Sequence, residues 1–136
     1  MTSQAKERWS GSLADPSGQA FGEILADDVQ LEGSIVVRPV HGRHAVWTCL
    51  RTAASLYDSV EFTYDALAGD RVYLEWTATA LGMRMDGATI LVLDAGGQFA
   101  RVAVYHRPLA AVLAFSEEMA KRRAAGPGAG HFYQIP

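Results

Sequence analysis

Residues 69–108 decide the fold of this chain, and they read GDRVYLEWTATALGMRMDGATILVLDAGGQFARVAVYHRP. Apolar residues occupy every second position from Val72 to Ala78, and the run from Ala88 to Leu93 is apolar except for Thr89. Turn residues stand before the first run, at 69–70, and after the second, at 95–97. Runs of this kind, separated by turns, predict successive antiparallel strands. A curved sheet with helices packed on it can enclose a pocket in a small protein.

The rest of the chain predicts helices and further strands around this sheet. Helices are predicted for four segments: 5–13, 17–26, 43–57 and 108–123. Strands are predicted for 29–32 and 60–66, which alternate between apolar and polar residues. Asp86-Gly87 is interpreted as a bulge or as a turn, and the strand that follows it is expected to be covered on both faces. The predicted fold class is α+β, with segregated helices and an antiparallel sheet.

Composition limits the class of protein. The 136 residues carry a formal net charge of −3, which gives no basic field for nucleic acid. No apolar run approaches the roughly 20 residues that span a bilayer, so no membrane partner is expected. We predict one domain, 1–136, with a core at 5–124 and a flexible tail at 125–136. Because the polar segment Met1–Ser12 lacks a signal core and Cys49 is the single cysteine, we predict a cytoplasmic protein without a disulfide.

Five short motifs carry a family resemblance: 25–29 (LADDV), 39–43 (PVHGR), 68–72 (AGDRV), 93–99 (LDAGGQF) and 107–109 (RPL). In this order they resemble the nuclear-transport-factor-2-like superfamily, which includes ketosteroid isomerases, SnoaL-like polyketide cyclases and limonene epoxide hydrolases. The resemblance implies a sheet curled into a half-open cone that three to four helices close. It also implies that ligands enter the cone and that two copies pair through the outer sheet face as a homodimer.

The catalytic residues of the ketosteroid isomerases do not carry over. The resemblance places their carboxylate base at Gly33, which has no side chain that could take a proton. It places their protonated acid near Thr89 and their tyrosine at Trp9, so all three roles are altered. The acid of the cyclases and epoxide hydrolases falls at about Val104. Transfer of the isomerase reaction is therefore not expected.

His106 and Asp86 remain as candidate catalytic residues. A histidine at a strand end that faces a pocket can act as a general acid or base near neutral pH. The alternative for His106 is a hydrogen-bonded histidine at the rim, and for Asp86 it is ordinary turn chemistry beside Gly87. The predicted ligand-binding walls are Trp9, Phe21, Trp47, Leu50, Tyr64, Trp76, Thr89 and Val104. No cofactor is expected, and no His, Asp, Glu or Cys set has the spacing of a metal site.

Two functions remain open. The first is binding of a hydrophobic or polycyclic small molecule, with isomerase, cyclase or hydrolase chemistry through His106 or Asp86 as an option. The second is a non-catalytic dimeric binding or scaffold module of the same fold. A buried ionisable group in the pocket favours an enzyme, whereas neutral walls, or a pocket filled by its own side chains, favour a binding module.

The tail His131-Phe132-Tyr133-Gln134-Ile135-Pro136 follows the glycine-rich segment 126–130. Its large apolar side chains would form an exposed hydrophobic patch if they were free in water. We therefore hypothesise that the tail docks, either over the mouth of the cone or on a partner subunit.

Overall fold

The computed structural model describes residues 2–134. Its helices are α1 (Thr2–Ala14), α2 (Gln19–Ile24), α3 (Arg43–Leu56) and α4 (Leu109–Arg122). Its strands are β1 (Leu25–Gly33), β2 (Val40–His41), β3 (Tyr57–Ala68), β4 (Arg71–Ala80), β5 (Met83–Leu93) and β6 (Phe99–Arg107). None of the helices within residues 2–134 is both long enough and apolar enough to cross a bilayer.

The strands form one sheet in the order β2-β1-β6-β5-β4-β3. Neighbouring strands are antiparallel except for β1 and β6, which run parallel. Register shifts interrupt the β1–β6, β3–β4 and β5–β6 ladders, and irregularities of this kind bend and twist a sheet. The predicted α+β class, with helices folded against a curved and mostly antiparallel sheet, is confirmed.

The core lies between the helices and one face of the sheet. Along β4, Val72, Leu74 and Trp76 are buried, and the residues between them are exposed or half-exposed. Val46 of α3 and Phe115 of α4 are fully buried on the helix side. Because side chains alternate between the two faces of a strand, one apolar face of the sheet is covered and the other remains open to solvent.

Two predicted element boundaries are wrong at helix-to-strand junctions. The second helix was expected to reach residue 26, but it ends at Ile24, and β1 begins at Leu25. The long helix was expected to include Tyr57, but it ends at Leu56, and Tyr57 is the first residue of β3. In both places the backbone changes from helical to extended within one residue, so an apolar residue fits either pattern.

The reversal between β4 and β5 lies at Leu81-Gly82, and Asp86-Gly87 is neither a turn nor a bulge. Gly87 is inside β5, opposite Trp76 on one side and His106 on the other. A Cβ at Gly87 would lie 1.9 Å from the carbonyl oxygen of Tyr105 and 2.7 Å from the Trp76 ring. A side chain at this position would collide with the neighbouring strand and with the Trp76 indole, which packs directly on the Gly87 backbone.

The outward face of β5 differs from the prediction, and α4 packs on the core through residues other than its first. Ala88, Ile90 and Val92 are half-exposed, so the central strand is covered on one face only in this chain. Leu109, the first residue of α4, is 71% exposed. Buried residues of α4 instead include Phe115, whose large ring turns a different side of the helix toward the core.

Candidate functional site

The concave face of the sheet and the helices enclose a small apolar cavity, which we name the cone cavity. Its volume is about 40 Å³. Its walls include Trp9 from α1, Leu50 from α3, Val60 and Phe62 from β3, and Met119 from α4. A space of this size holds only a few water molecules, whereas pockets for small organic ligands measure about 300–1,000 Å³. The cavity is therefore largely filled by the protein's own side chains.

Tyr57 and His106 form the polar centre of the cone cavity. The Tyr57 hydroxyl lies 2.5 Å from Nε2 of His106, within hydrogen-bonding distance. The His106 ring is enclosed by three aromatic rings, with centroids 6.0 Å from Tyr57, 5.0 Å from Trp76 and 4.9 Å from Phe115. The backbone N–H of His106 donates to the hydroxyl of Ser34 at 2.8 Å, which holds this end of β6 in place.

His106 is neutral near pH 7, because burial lowers its pKa from 6.5 to about 4. A neutral imidazole carries one donor and one acceptor nitrogen. Nε2 pairs with Tyr57, and among the described residues the buried Nδ1 has no hydrogen-bond partner. In either tautomer one hydrogen-bonding position of His106 is left open, and a buried polar atom without a partner is costly.

Trp76 and Thr89 form a second polar contact in the cavity wall. The indole Nε1–H of Trp76 donates to the hydroxyl oxygen of Thr89 at 3.0 Å, and both side chains are buried. Because an indole is only a donor, this bond leaves the Thr89 hydroxyl hydrogen available for a further acceptor. The pair fixes the indole plane across Gly87.

Two other ionisable side chains of the cavity wall, Cys49 and Tyr57, are also neutral near pH 7. Burial raises the pKa of the Cys49 thiol to about 11. Tyr57 is half-buried overall, and burial at its hydroxyl raises its pKa above the usual range for tyrosine. Glu32 borders the cavity, but its carboxylate accepts a 2.6 Å bond from Nε of Arg101. In the β1–β6 ladder Glu32 pairs with Ala103, and the preceding pair, Leu31 and Val102, faces the core. Because side chains alternate along a strand, the Glu32 side chain lies on the outer face.

The absence of an acid at Gly33 has a steric cause. A Cβ at Gly33 would lie 1.9 Å from the carbonyl oxygen of Val104, and its φ of 141° disfavours any side chain. The position to which the resemblance assigns a carboxylate base therefore cannot hold one in this backbone. Within residues 2–134, no three His, Cys, Asp or Glu side chains come together as a possible metal site.

The structure places six of the predicted site residues together on the wall of the cone cavity. They are Trp9, Leu50, Trp76, Thr89, Val104 and His106. Phe21 is fully buried, but it packs behind the wall, with its ring 5.5 Å from that of Trp9. Trp47 is half-buried outside the cavity, where its Nε1–H donates to the carbonyl oxygen of Gly18 at 2.6 Å.

The predicted inward position of Tyr64 is wrong, because its side chain is 57% exposed. The β3–β4 register shifts between Phe62 and Tyr64, so that Phe62 pairs with Trp76 and Tyr64 pairs with Glu75. Such a shift reverses which alternate residues face the core. The Tyr64 ring therefore lies on the outer face, 6.5 Å from the ring of Tyr73.

Asp86 also lies on the outer face, and the structure does not bring its carboxylate to the cone cavity. Its Oδ1 accepts a hydrogen bond from Nε of Arg107 at 2.5 Å. This bond lowers the pKa of Asp86 below its usual range. Asp86 directly precedes Gly87, which faces Trp76, so strand alternation turns Asp86 the other way.

Two residues that were not among the predicted site residues contribute to the cavity. Tyr57 was predicted as the last residue of the helix 43–57, and its place at a helix-to-strand junction was the one signal that the sequence offered. Phe132 comes from residues 126–134, which we name the C-terminal strap. It is only 4% exposed, lines the cavity and forms an antiparallel bridge with Val36. The tail therefore lies over the mouth of the cone, and its last two residues, Ile135 and Pro136, are outside the described part.

The cone, its helices and its apolar interior can be compared with known proteins. Residues 7–102, more than half of the chain, match the SnoaL-like domain. The chain belongs to this SnoaL-like family. The resemblance inferred from the five sequence motifs is thereby confirmed at the level of family and fold. No curated protein matches the SnoaL-like chain in sequence.

Solved structures share the fold at low sequence identity. A steroid delta-isomerase from Pseudomonas aeruginosa is 22% identical, with a TM-score of 0.82 over 90% of this chain and 91% of that one. A nuclear-transport-factor-2-like protein of unknown function from Cytophaga hutchinsonii is 14% identical, with a TM-score of 0.64 over 79% and 91%. A hypothetical protein from Catenulispora acidiphila with a ketosteroid-isomerase-like fold, in complex with trimethylamine, is 21% identical, with a TM-score of 0.62 over 78% and 86%.

Proposed function

We propose that this SnoaL-like protein binds a small apolar molecule that carries one hydrogen-bonding group, such as a cyclic ketone. One observation carries the proposal: Nδ1 of His106 is buried beside an apolar cavity and has no partner among the described residues. A ligand carbonyl or hydroxyl would satisfy this nitrogen. The neutral walls favour a neutral ligand, because a charged one would lose its hydration without gaining an opposite charge.

The Tyr57–His106 pair offers acid–base chemistry to such a ligand. If Nδ1 carries the proton, it donates to a carbonyl while Nε2 accepts from Tyr57. If Nε2 carries it, Nδ1 is a free base. Either arrangement suits isomerisation, cyclisation or hydrolysis, which are the reactions that the family resemblance implies. The low pKa of His106, about 4, makes it a weak base, so we expect slow chemistry.

Binding is tested with two bicyclic compounds that differ by one carbonyl, tetralin and 1-tetralone, each competing against the fluorescent probe N-phenyl-1-naphthylamine. His106→Phe keeps the aromatic packing and removes Nδ1. We expect the affinity for 1-tetralone to fall about fivefold and that for tetralin to stay within about twofold, because one hydrogen bond is worth about 1 kcal/mol. Asp86→Asn is the matched control and should change neither affinity. Equal losses for both compounds would remove His106 from the proposal.

Catalysis is tested separately by deuterium exchange. A base that acts on a bound ketone removes a proton next to the carbonyl, and in D₂O that position gains deuterium. NMR of 1-tetralone with wild-type protein, His106→Phe and buffer alone measures this rate. Exchange above the buffer rate that His106→Phe abolishes supports an enzyme. Binding without such exchange supports the second candidate, a non-catalytic module, which the neutral and largely filled cavity favours.

We further propose that two copies pair through the outer face of the sheet. Half-exposed Ala88, Ile90 and Val92 form an apolar strip there, beside Tyr73 and the 40% exposed Tyr105. Such a strip is suited to burial against an identical one. Ile90→Lys should convert a dimer to a monomer in sedimentation equilibrium, and a wild-type mass equal to one chain would contradict the pairing.

The free, buried thiol of Cys49 supports a reducing, cytoplasmic location.

A further inference from the structure

The C-terminal strap closes the cone over the site where a ligand is proposed to bind. Phe132 borders the cavity together with Ile35, Val36, Cys49 and Met119. With the strap in place the cavity measures about 40 Å³, far below the roughly 300 Å³ of small ligand pockets. Ligand entry therefore requires one wall of the cone to move.

A few isolated hydrogen bonds hold the strap to the rest of the fold. It joins the segment between β1 and β2 by one isolated bridge, in which the N–H of Val37 donates to the carbonyl of His131 at 2.8 Å. Its other end is held by the N–H of Tyr133, which donates to the hydroxyl of Ser116 at 2.8 Å. The strands β3 to β6, by contrast, are joined by antiparallel ladders of eight or more residue pairs each. Segments with few hydrogen bonds open at the lowest free energy.

Ser116 links the strap to both sides of the cone mouth. Its hydroxyl donates to the carbonyl of Ile35 at 2.5 Å while accepting from Tyr133. The seat of the strap is thus preformed by α4 and by the segment before β2. Opening the strap would expose the Ser116 hydroxyl and the Tyr133 N–H to water, and it would break no hydrogen bond within the sheet or the helices.

The glycines of the strap fit it closely against the cone. Gly126, Gly128 and Gly130 have φ of 86°, 84° and 81°. A Cβ at Gly128 would lie 2.4 Å from the Cys49 sulfur, whereas one at Gly126 would meet only an Arg123 nitrogen at 3.5 Å. Gly128 therefore sits directly over Cys49, and the strap covers that thiol when it is closed.

We propose that the C-terminal strap is a gate, and that the ring of Phe132 occupies the place of the apolar ligand until the ligand displaces it. This inference rests on the ligand binding proposed above. The strap and the ligand exclude each other, so the apparent affinity is reduced by the fraction of molecules in which the strap is closed. The neutral aromatic ring at the mouth matches the neutral apolar ligand that the walls favour.

Cys49 reports the position of the strap, because it is the only cysteine of the chain. Iodoacetamide reacts with the thiolate, so the closed state reacts slowly: burial raises the thiol pKa to about 11. Three variants separate the contributions. Phe132→Ala removes the ring, Gly128→Ala keeps the ring but clashes with Cys49, and Gly126→Ala has the same strained backbone conformation without that clash.

We expect Phe132→Ala and Gly128→Ala to alkylate Cys49 about tenfold faster and to bind N-phenyl-1-naphthylamine about tenfold tighter than the intact protein. Gly126→Ala should stay within about twofold of the wild type in both measurements. Urea denaturation of each variant gives its global unfolding constant. An alkylation rate that merely follows that constant overturns the gate, because the thiol is then exposed by unfolding.

The two proposals fail in different ways. Faster alkylation with unchanged or weaker probe affinity overturns the gate and leaves ligand binding standing, because the strap would then move without competing. Absence of probe binding in the intact protein and in every variant overturns the ligand-binding function, and the gate with it. Gly128→Ala keeps the test decisive if loss of the Phe132 ring prevents folding.

Discussion

The hydroxyl of Tyr57 lies 2.5 Å from Nε2 of His106, although their strands are not neighbours in the sheet. Tyr57 begins β3 and His106 lies near the end of β6, with β4 and β5 between them. Strands in a flat sheet lie about 4.8 Å apart, so these two would be separated by about 14 Å. Their contact across the concave face shows how tightly the sheet curls, and it closes one end of the cone.

Removing this contact should destabilise the protein. Tyr57→Phe keeps the ring and deletes the hydroxyl, which leaves both ring nitrogens of His106 without a protein partner. We expect a loss of about 1–3 kcal/mol in the free energy of unfolding, measured by urea denaturation. Tyr105→Phe is the matched control on the exposed face and should change stability by less than about 0.5 kcal/mol. Equal effects of the two substitutions would contradict a role for the buried bond.

Burial of neutral His106 should make stability depend on pH. Its pKa is 6.5 when unperturbed and about 4 in the fold, so between these values the unfolded chain binds more protons than the folded one. The free energy of unfolding should therefore fall as the pH drops from about 6.5 to about 4. Above pH 6.5 His106 is neutral in both states, and no stability is lost through its protonation. A pKa shift of this size corresponds to a change on the order of 3 kcal/mol in the free energy of unfolding.

The measurement is the difference in unfolding free energy between wild type and His106→Gln at several pH values. Glutamine can still bond Tyr57 but does not titrate, so the carboxylates that also titrate in acid cancel in the difference. We expect wild type to lose stability relative to His106→Gln below pH 6.5. A constant difference from pH 7.5 to pH 4 would show that His106 is protonated equally easily in both states.

The bond between Trp76 and Thr89 should also be needed in the core. Thr89→Val has nearly the same shape and removes the acceptor, which leaves the buried indole N–H unpaired. We expect a loss of about 1–3 kcal/mol, measured by thermal or urea unfolding. Thr77→Val, on the half-buried outer face of β4, is the matched control and should be neutral within about 0.5 kcal/mol. A neutral Thr89→Val would imply that the indole has another partner.

The inward position of Trp76 could be predicted because one covered face imposes a period of two on a strand. The expected positions of Thr89 and His106 came from the family resemblance. The motif order then identified the cone itself. Sequence alternation could not place Tyr64, since the shift after Phe62 depends on register with another strand and has no local signature. Sequence alternation also led to the interpretation of Asp86-Gly87 as a bulge or a turn. The Trp76 ring that occupies the space of a side chain at Gly87 belongs to a different strand, so the residues around Gly87 give no sign of it.

The position of Phe132 also could not be decided from sequence. Its apolar neighbours and the glycines before it indicated docking, but the seat is built from Val36 and Ser116, which lie far away in the chain. Docking over the cone mouth and docking on a partner bury the same ring equally well. Only the three-dimensional arrangement of the segment before β2 and of α4 distinguishes them.

Gly87 should tolerate no side chain, and this prediction tests how closely the sheet and the indole approach each other. In Gly87→Ala the new Cβ would lie 1.9 Å from the Tyr105 carbonyl oxygen and 2.7 Å from the Trp76 ring. Strand or ring must shift, so we expect a loss of at least about 2 kcal/mol in unfolding free energy and a change in tryptophan fluorescence.

Gly11→Ala is the control with the opposite expected sign. Gly11 lies within α1, and an added Cβ meets nothing within 4 Å among the described residues. Alanine in a helix is favoured over glycine by about 0.5–1 kcal/mol, so this variant should be more stable than wild type. If Gly87→Ala were instead as stable as wild type, with unchanged fluorescence, the indole could not be packed on the β5 backbone, and the wall that carries Trp76 would have a different geometry.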